Sequence, residues 1–174
     1  MSNYVANIDY IIIFLYTPRD ITKPNTSNTH SHIKKIKSMT EKYLKLKDVL
    51  ESGKFAITAE IPAPVSASSN EMEEKIKILK GSVHAINVTD NPGATAHMSS
   101  LAGSAIVRNQ GIDPILQITC RDRNRLAIQS ELMGASALGI NNVLTLAGDP
   151  VKNGDQKDAK AVFDINSKTI LTIM

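Results

Sequence analysis

Asn141-Asn142-Val143-Leu144-Thr145-Leu146-Ala147-Gly148-Asp149-Pro150 is the stretch whose reading decides the fold. Val143 to Leu146 reads as a short buried strand, because apolar and β-branched residues favour that state. It stops abruptly: Gly148 permits backbone angles closed to other residues, and Pro150 donates no N–H and biases Asp149 away from helix. That places a carboxylate at the carboxyl end of a strand, where open α/β sheets and (β/α)8 barrels carry their chemistry. An ordinary strand-to-loop turn fits the same ten residues, so the flanks must choose.

Working back from this strand, helical and extended patterns alternate. Leu126, Met133 and Ala137 share one side of a predicted helix that Asp122 caps and Gly139 ends. Before it, Ile115 to Thr119 is a strand. Met98, Leu101, Ala102, Ala105 and Ile106 form a helical stripe ended by Gly111. Val83 to Val88 is another strand, leading into the Thr89-Asp90-Asn91-Pro92-Gly93 loop. A helix with Met72, Ile76 and Leu79 on one face, and Asn70 with Glu73 as a capping box, follows the strand Phe55 to Ile61. Upstream, Leu46, Val49 and Leu50 have helical spacing within Tyr43 to Leu50. Downstream of the decapeptide lie a polar loop through Asp158 and an amphipathic segment from Asp164 to Met174. Four strands thus alternate with helices at spacings of about 30 residues, the βαβ signature of a parallel sheet.

The first third differs in composition. Residues 1–50 hold eight Lys/Arg and four Asp/Glu, all four tyrosines, and a polar run rich in Asn, Thr, Ser and Lys from Thr17 to Ser38. Residues 1–38 therefore read as a flexible extension, and residues 39–174, from Met39, as the folded domain. The formal net charge of +3 and the short run Lys34-Lys35 with Lys37 are solvated charge, not a nucleic-acid signal. Ile11 to Leu15 falls far short of the ~20 apolar residues that span a bilayer and reads as peripheral. His30 and His32 have no further ligands nearby, so no metal site is expected. One cysteine, Cys120, suits a reducing cytoplasm and packs as a small hydrophobe.

Four strand ends carry the candidate chemistry. They offer Glu60; Thr89 and Asp90; Thr119, Cys120, Arg121 and Asp122; and Asp149. In a parallel barrel these ends share one face, so Glu60 and Asp149 can converge from about 90 residues apart. Glu60 interrupts the apolar strand Ile57, Ala59, Ile61, which suggests an enclosed carboxyl with a raised pKa, suited to acid catalysis. A structural ion pair with Arg121 or Arg123 is the alternative. Neither a P-loop nor a Gly-x-Gly-x-x-Gly fingerprint is present.

These residues also carry a resemblance. Thr58-Ala59-Glu60-Ile61-Pro62-Ala63-Pro64, Asn87-Val88-Thr89-Asp90, Gln117-Ile118-Thr119-Cys120-Arg121-Asp122-Arg123-Asn124, Leu144 to Pro150 and Val162-Phe163-Asp164 resemble successive motifs of the methylenetetrahydrofolate reductase family. The similarity runs over roughly residues 45–174, in order and spacing. It implies a (β/α)8 TIM barrel and a flavoprotein in which FAD takes a hydride from NADH or NADPH and passes it to 5,10-methylenetetrahydrofolate. On that resemblance Glu60 is the acid and Asp149 the carboxylate near flavin and pterin. Thr89, Gln117, Leu146, Ala147, Gly148 and Asp149 match flavin-contacting positions.

Two positions depart from the pattern. Gln117 stands where many relatives have histidine, and Ala147 where many have arginine. A complete barrel needs about 250 residues, and only about the first four βα units are expected here. An active reductase then requires a second copy or a separate second half, and a non-catalytic half-barrel awaiting a partner chain is the other expectation.

Overall fold

The computed structural model describes residues 14–16 and 45–173. The polar arm, with His30, His32, the lysine run and Met39, lies almost wholly outside them. The exception is β1 (Phe14–Tyr16), which pairs antiparallel with β2 (Ala56–Ile61). The apolar run read as peripheral thus supplies an edge strand.

From Lys45 onward the order is α1 (Leu46–Glu51), β2, α2 (Asn70–Leu79), β3 (Ala85–Val88), α3 (Ser100–Asn109), β4 (Asp113–Thr119), α4 (Arg125–Ala137), β5 (Asn142–Leu146) and α5 (Ser167–Ile173). The sheet order is β1-β2-β3-β4-β5, and β2 to β5 are parallel neighbours in chain order. Each helix-containing connection therefore steps one strand along the sheet, and the carboxyl ends of β2 to β5 open on the same side.

Strand alternation gives the sheet two different faces. Ile57, Ala59, Ile61, Ile86 and Val88 pack against Met72, Ile76 and Leu79 of α2 and Val107 of α3. On the other face Ala56, Ala85 and Ile115 pack against Leu46 and Val49 of α1. The short helix α1 is pinned there by the Leu46 N–H, which donates to Asp113 Oδ2 at 2.7 Å. It covers the amino-terminal half of this second face and leaves the carboxyl half to polar residues.

Several local expectations are corrected. The α2 N-cap position is Ser69, whose hydroxyl bonds Glu73 Oε1 at 2.8 Å, so Asn70 is the first helical residue and no capping box forms. Asn124, not Asp122, caps α4, its Oδ1 accepting from the Ala127 N–H at 3.0 Å; Asp122 is committed to Arg121. In α3 the buried face is Ser100, Gly103, Ser104 and Val107, while Ala102 is exposed. Small residues win this face because the helix lies close to the sheet: a Cβ at Gly103 would stand 2.8 Å from Val88 Cγ1. In α4 the buried stripe is Ile128 and Ala135, with Leu132 packed beside them. Leu126 and Met133 are 72% and 68% exposed. That helix carries two apolar stripes, and only one reaches the sheet.

Candidate functional site

The polar half of the second face starts from β2. Residues of one strand alternate sides, so Glu60 faces away from the helix-packed Ile57, Ala59 and Ile61. Parallel register sets Asn87 of β3 opposite it. The Asn87 Nδ2 and Gln117 Nε2 groups each donate to Glu60 Oε2, both at 2.7 Å. Both amides are buried, at 3% and 6% exposure. Burial pushes the Glu60 carboxyl above its ordinary range, and the hydrogen bonds from Gln117 and then Asn87 oppose that rise. The ion pair with Arg121 or Arg123 considered for Glu60 does not form; each arginine has another carboxylate.

Thr89 follows directly after β3 and is buried, and among the described residues nothing partners its hydroxyl or Asn87 Oδ1. Asp90 accepts from the Thr119 N–H at 2.8 Å, the Thr119 hydroxyl at 3.0 Å and both Arg123 Nη atoms at 2.6 and 3.0 Å. With every one of these donors supplied by β4 and its loop, Asp90 locks the β3 end to β4.

Arg121 performs the same task between loops. Its side chain is 2% exposed and forks onto Asp122, Nε to Oδ1 and Nη2 to Oδ2, both at 2.7 Å. That bond holds the Asp122 carboxyl below its usual range. The remaining donors reach two main-chain carbonyls, Asn91 and Asp149, each at 3.1 Å. Asn91 adopts left-handed backbone angles, φ 47°, and its Nδ2 donates to Asp122 Oδ2 at 3.1 Å. A conformation open to Asn thus lets one guanidinium join the loops after β3, β4 and β5.

Asp149 is exposed, and its Oδ2 accepts from the Gly93 N–H at 2.9 Å. Gly148 before it has φ 95°; a Cβ there would stand 3.0 Å from Arg121 Cβ and 3.2 Å from Thr119 Cβ. Leu146 is paired with Thr119 in register, and its carbonyl accepts from the Cys120 N–H at 3.0 Å. Ala147, exposed, borders a separate cleft of about 470 Å3 with Cys120, Arg125, Phe163 and Asp164. Arg125 closes onto Asp164 through Nε and Nη2, at 2.9 and 3.0 Å, and these bonds pull the Asp164 carboxyl down to about 2. Main-chain bonds from Val162 and Phe163 to the Arg121 and Cys120 carbonyls hang that segment on the end of β4.

The structure therefore gathers Glu60 and Gln117 into one hydrogen-bonded group and sets Thr89 two residues beyond its third member. Asp149 joins a different group, with Gly93 and Arg121. Sequence reasoning assigned no role to Asn87, and it offered Arg121 as a strand-end candidate and an ion-pair partner for Glu60, not as the buried tie between three loops that it forms. Asn87 had a signal: like Glu60, it is a polar residue in a strand otherwise apolar, Ala85-Ile86-Asn87-Val88. Cys120 packs as expected, buried with Ile118, Ile128 and Ile170, and burial raises its thiol pKa. Among the described residues no three His, Cys, Asp or Glu side chains are placed to hold a metal ion. No described helix is long and apolar enough to cross a membrane.

Each quoted motif has a defined place in this geometry, four at the strand ends and Val162-Phe163-Asp164 on the segment hung from β4. Residues 45–171 match the family model for methylenetetrahydrofolate reductase. That match spans the parallel strands β2 to β5 and all five motifs, and the chain belongs to the methylenetetrahydrofolate reductase family.

Proposed function

We propose that the chain carries the folate site of a flavin-dependent reductase that converts 5,10-methylenetetrahydrofolate to 5-methyltetrahydrofolate, with NADH or NADPH as electron donor. The observation that carries this reading is Glu60: a half-buried carboxyl at the end of a parallel strand, with a raised pKa and two amide donors on one oxygen. Family membership independently favours folate-linked oxidoreductase chemistry of one-carbon metabolism.

In this reading Glu60 gives its proton to a nitrogen of the methylene bridge, which opens that ring to a cationic iminium. Asp149 keeps a carboxylate near the cation, one oxygen tied to the Gly93 N–H and the other free to face it. FAD, if bound, would supply hydride chemistry at the methylene carbon. The chain's residues fit such a group in two respects: Thr89 presents a buried hydroxyl that lacks a partner, and the small Ala147-Gly148 pair leaves main chain accessible. Thr89, Gln117, Leu146, Ala147, Gly148 and Asp149 would hold it. The Gln117 amide N–H already serves Glu60, so a flavin contact would use its carbonyl oxygen.

The proposed architecture is a (β/α)8 barrel of which β2 to β5 are the first four strands. A second copy or a second half-barrel chain would complete it, pairing with β5 at one end of the sheet and taking the place of β1 beside β2 at the other, in keeping with the apolar outer stripe of α4. A cytoplasmic setting goes with this role. The visible spectrum of the purified chain tests the proposal. Flavin that bleaches with NADH or NADPH and recovers colour on adding methylenetetrahydrofolate is expected. Absence of flavin after adding FAD would overturn it and leave the non-catalytic half-barrel.

A further inference from the structure

Glu60 has two oxygens, and the structure treats them differently. Oε2 accepts from Asn87 Nδ2 and Gln117 Nε2, both at 2.7 Å, a length typical of charge-assisted bonds. Among the described residues no donor reaches Oε1. A carboxyl oxygen offers two in-plane lone pairs, so two N–H donors occupy Oε2 and leave it no room for a proton.

The amides themselves are bound to this duty. Asn87 sits at 3% exposure with its own Oδ1 unpartnered, a state that costs about 1–3 kcal/mol for a buried acceptor. Turning the amide over would aim that oxygen at Glu60 Oε2 across the same short gap, where two acceptors repel. Asn87 therefore leaves one of its own atoms unsatisfied in order to donate. Gln117 comes from the next strand, β4, so the carboxyl is held from two directions.

We propose that Asn87 and Gln117 are positioning residues that form an amide clamp on Glu60 Oε2, so that the proton the acid delivers resides on Oε1 alone. This rests on the reading of Glu60 as the acid. The clamp fixes the carboxyl plane and presents one O–H, with a defined direction, to the substrate nitrogen. It also gives Gln117 a reason to stand where a flavin contact was expected: a neutral amide donates without titrating. Both donors favour the ionised carboxyl, in opposition to burial, and so limit how far its pKa climbs.

The test needs neither flavin nor folate. The chain is labelled with 13C at the glutamate carboxyls, and the Glu60 signal is assigned by its loss in Glu60→Gln. NMR then gives its titration midpoint, and isotope-edited infrared spectra give the carbonyl stretch of its protonated form. In the wild-type chain the protonated carbonyl is Oε2 with two N–H donors, and its stretch lies well below that of a free acid. Gln117→Met and Asn87→Leu each raise the midpoint by roughly half to one pH unit and move the stretch upwards. An unmoved midpoint and stretch in a folded variant overturns the clamp. A wild-type stretch at the free-acid position does the same without any variant, which covers the case in which both substitutions unfold the chain. Absence of folate-dependent turnover in the wild-type chain, with these shifts intact, would count against the proposed function and leave the clamp standing.

Discussion

Arg121 Nη1 donates to the main-chain carbonyl of Asp149 across 3.1 Å, which makes a buried cation the anchor of the Gly148-Asp149-Pro150 turn. The same guanidinium holds the Asn91 carbonyl and forks onto Asp122. Removing it strands two carbonyls and a partly buried carboxylate at once. Arg121→Met should therefore cost about 1–3 kcal/mol, the range for leaving hydrogen-bonding groups without their partner. Urea titration followed by circular dichroism checks this, and a midpoint within error of wild type would show that the three loops hold without it.

Gly148 is constrained twice, by its backbone angle and by the two Cβ atoms behind it. Gly53 shares the positive φ, at 70°, but a Cβ there would meet nothing within 4 Å. Gly53→Ala should cost roughly 1–2 kcal/mol, the backbone term alone. Gly148→Ala adds close contact with Arg121 and Thr119 and should cost roughly 1–3 kcal/mol more, as overpacking does. Equal losses in paired denaturation curves would mean that the turn shifts freely away from β4.

His84 links pH to stability. Its Nδ1 accepts from the Ile57 N–H at 3.0 Å, a bond that only the neutral ring can make. Burial holds its pKa below the ordinary histidine value of 6.5, and nearby Lys54 adds to the depression. The unfolded chain then binds a proton at a higher pH than the folded one. This contribution to stability is complete above about pH 6.5 and is lost as pH falls from there through the folded pKa. Denaturation midpoints for wild type and His84→Gln should converge as pH is lowered from 7.5 to 5. Parallel curves would show that His84 titrates alike in both states.

How much of this was legible beforehand depended on the kind of signal. The strands Ala56–Ile61, Ala85–Val88, Asp113–Thr119 and Asn142–Leu146 stand close to where apolar runs and turn residues placed them, because strand ends are marked locally. Helix faces were harder. Leu126 and Met133 share a side with helical spacing, yet Ile128 and Ala135 on another side reach the sheet, and spacing cannot rank two apolar stripes. In α3 the winning face was made of Gly103 and Ser104, where distance to Val88 outweighed hydrophobicity. Glu60 stood out as a charge in an apolar strand. That Asn87 and Gln117 would bond it did not, because they meet it through register, 27 and 57 residues away in the chain.

Under the proposed function, the pH dependence of folate reduction follows from the Glu60 carboxyl. A general acid must be protonated, and burial keeps Glu60 protonated to higher pH than an ordinary glutamate carboxyl. The rate at which methylenetetrahydrofolate reoxidises a reduced flavin should therefore be level at low pH. It should fall about tenfold per pH unit once the Glu60 pKa is passed. Glu60→Gln keeps the shape of the side chain and has no proton to give. Its rate should drop roughly 10²–10⁴-fold, the usual contribution of a positioned acid, and lose that pH dependence. Bleaching by NADH or NADPH should persist in the variant, since that half of the reaction needs no acid at Glu60. Stopped-flow absorbance of the two half-reactions separates the outcomes. A Glu60→Gln chain that retains the wild-type pH profile in the folate half-reaction would remove Glu60 from the chemistry.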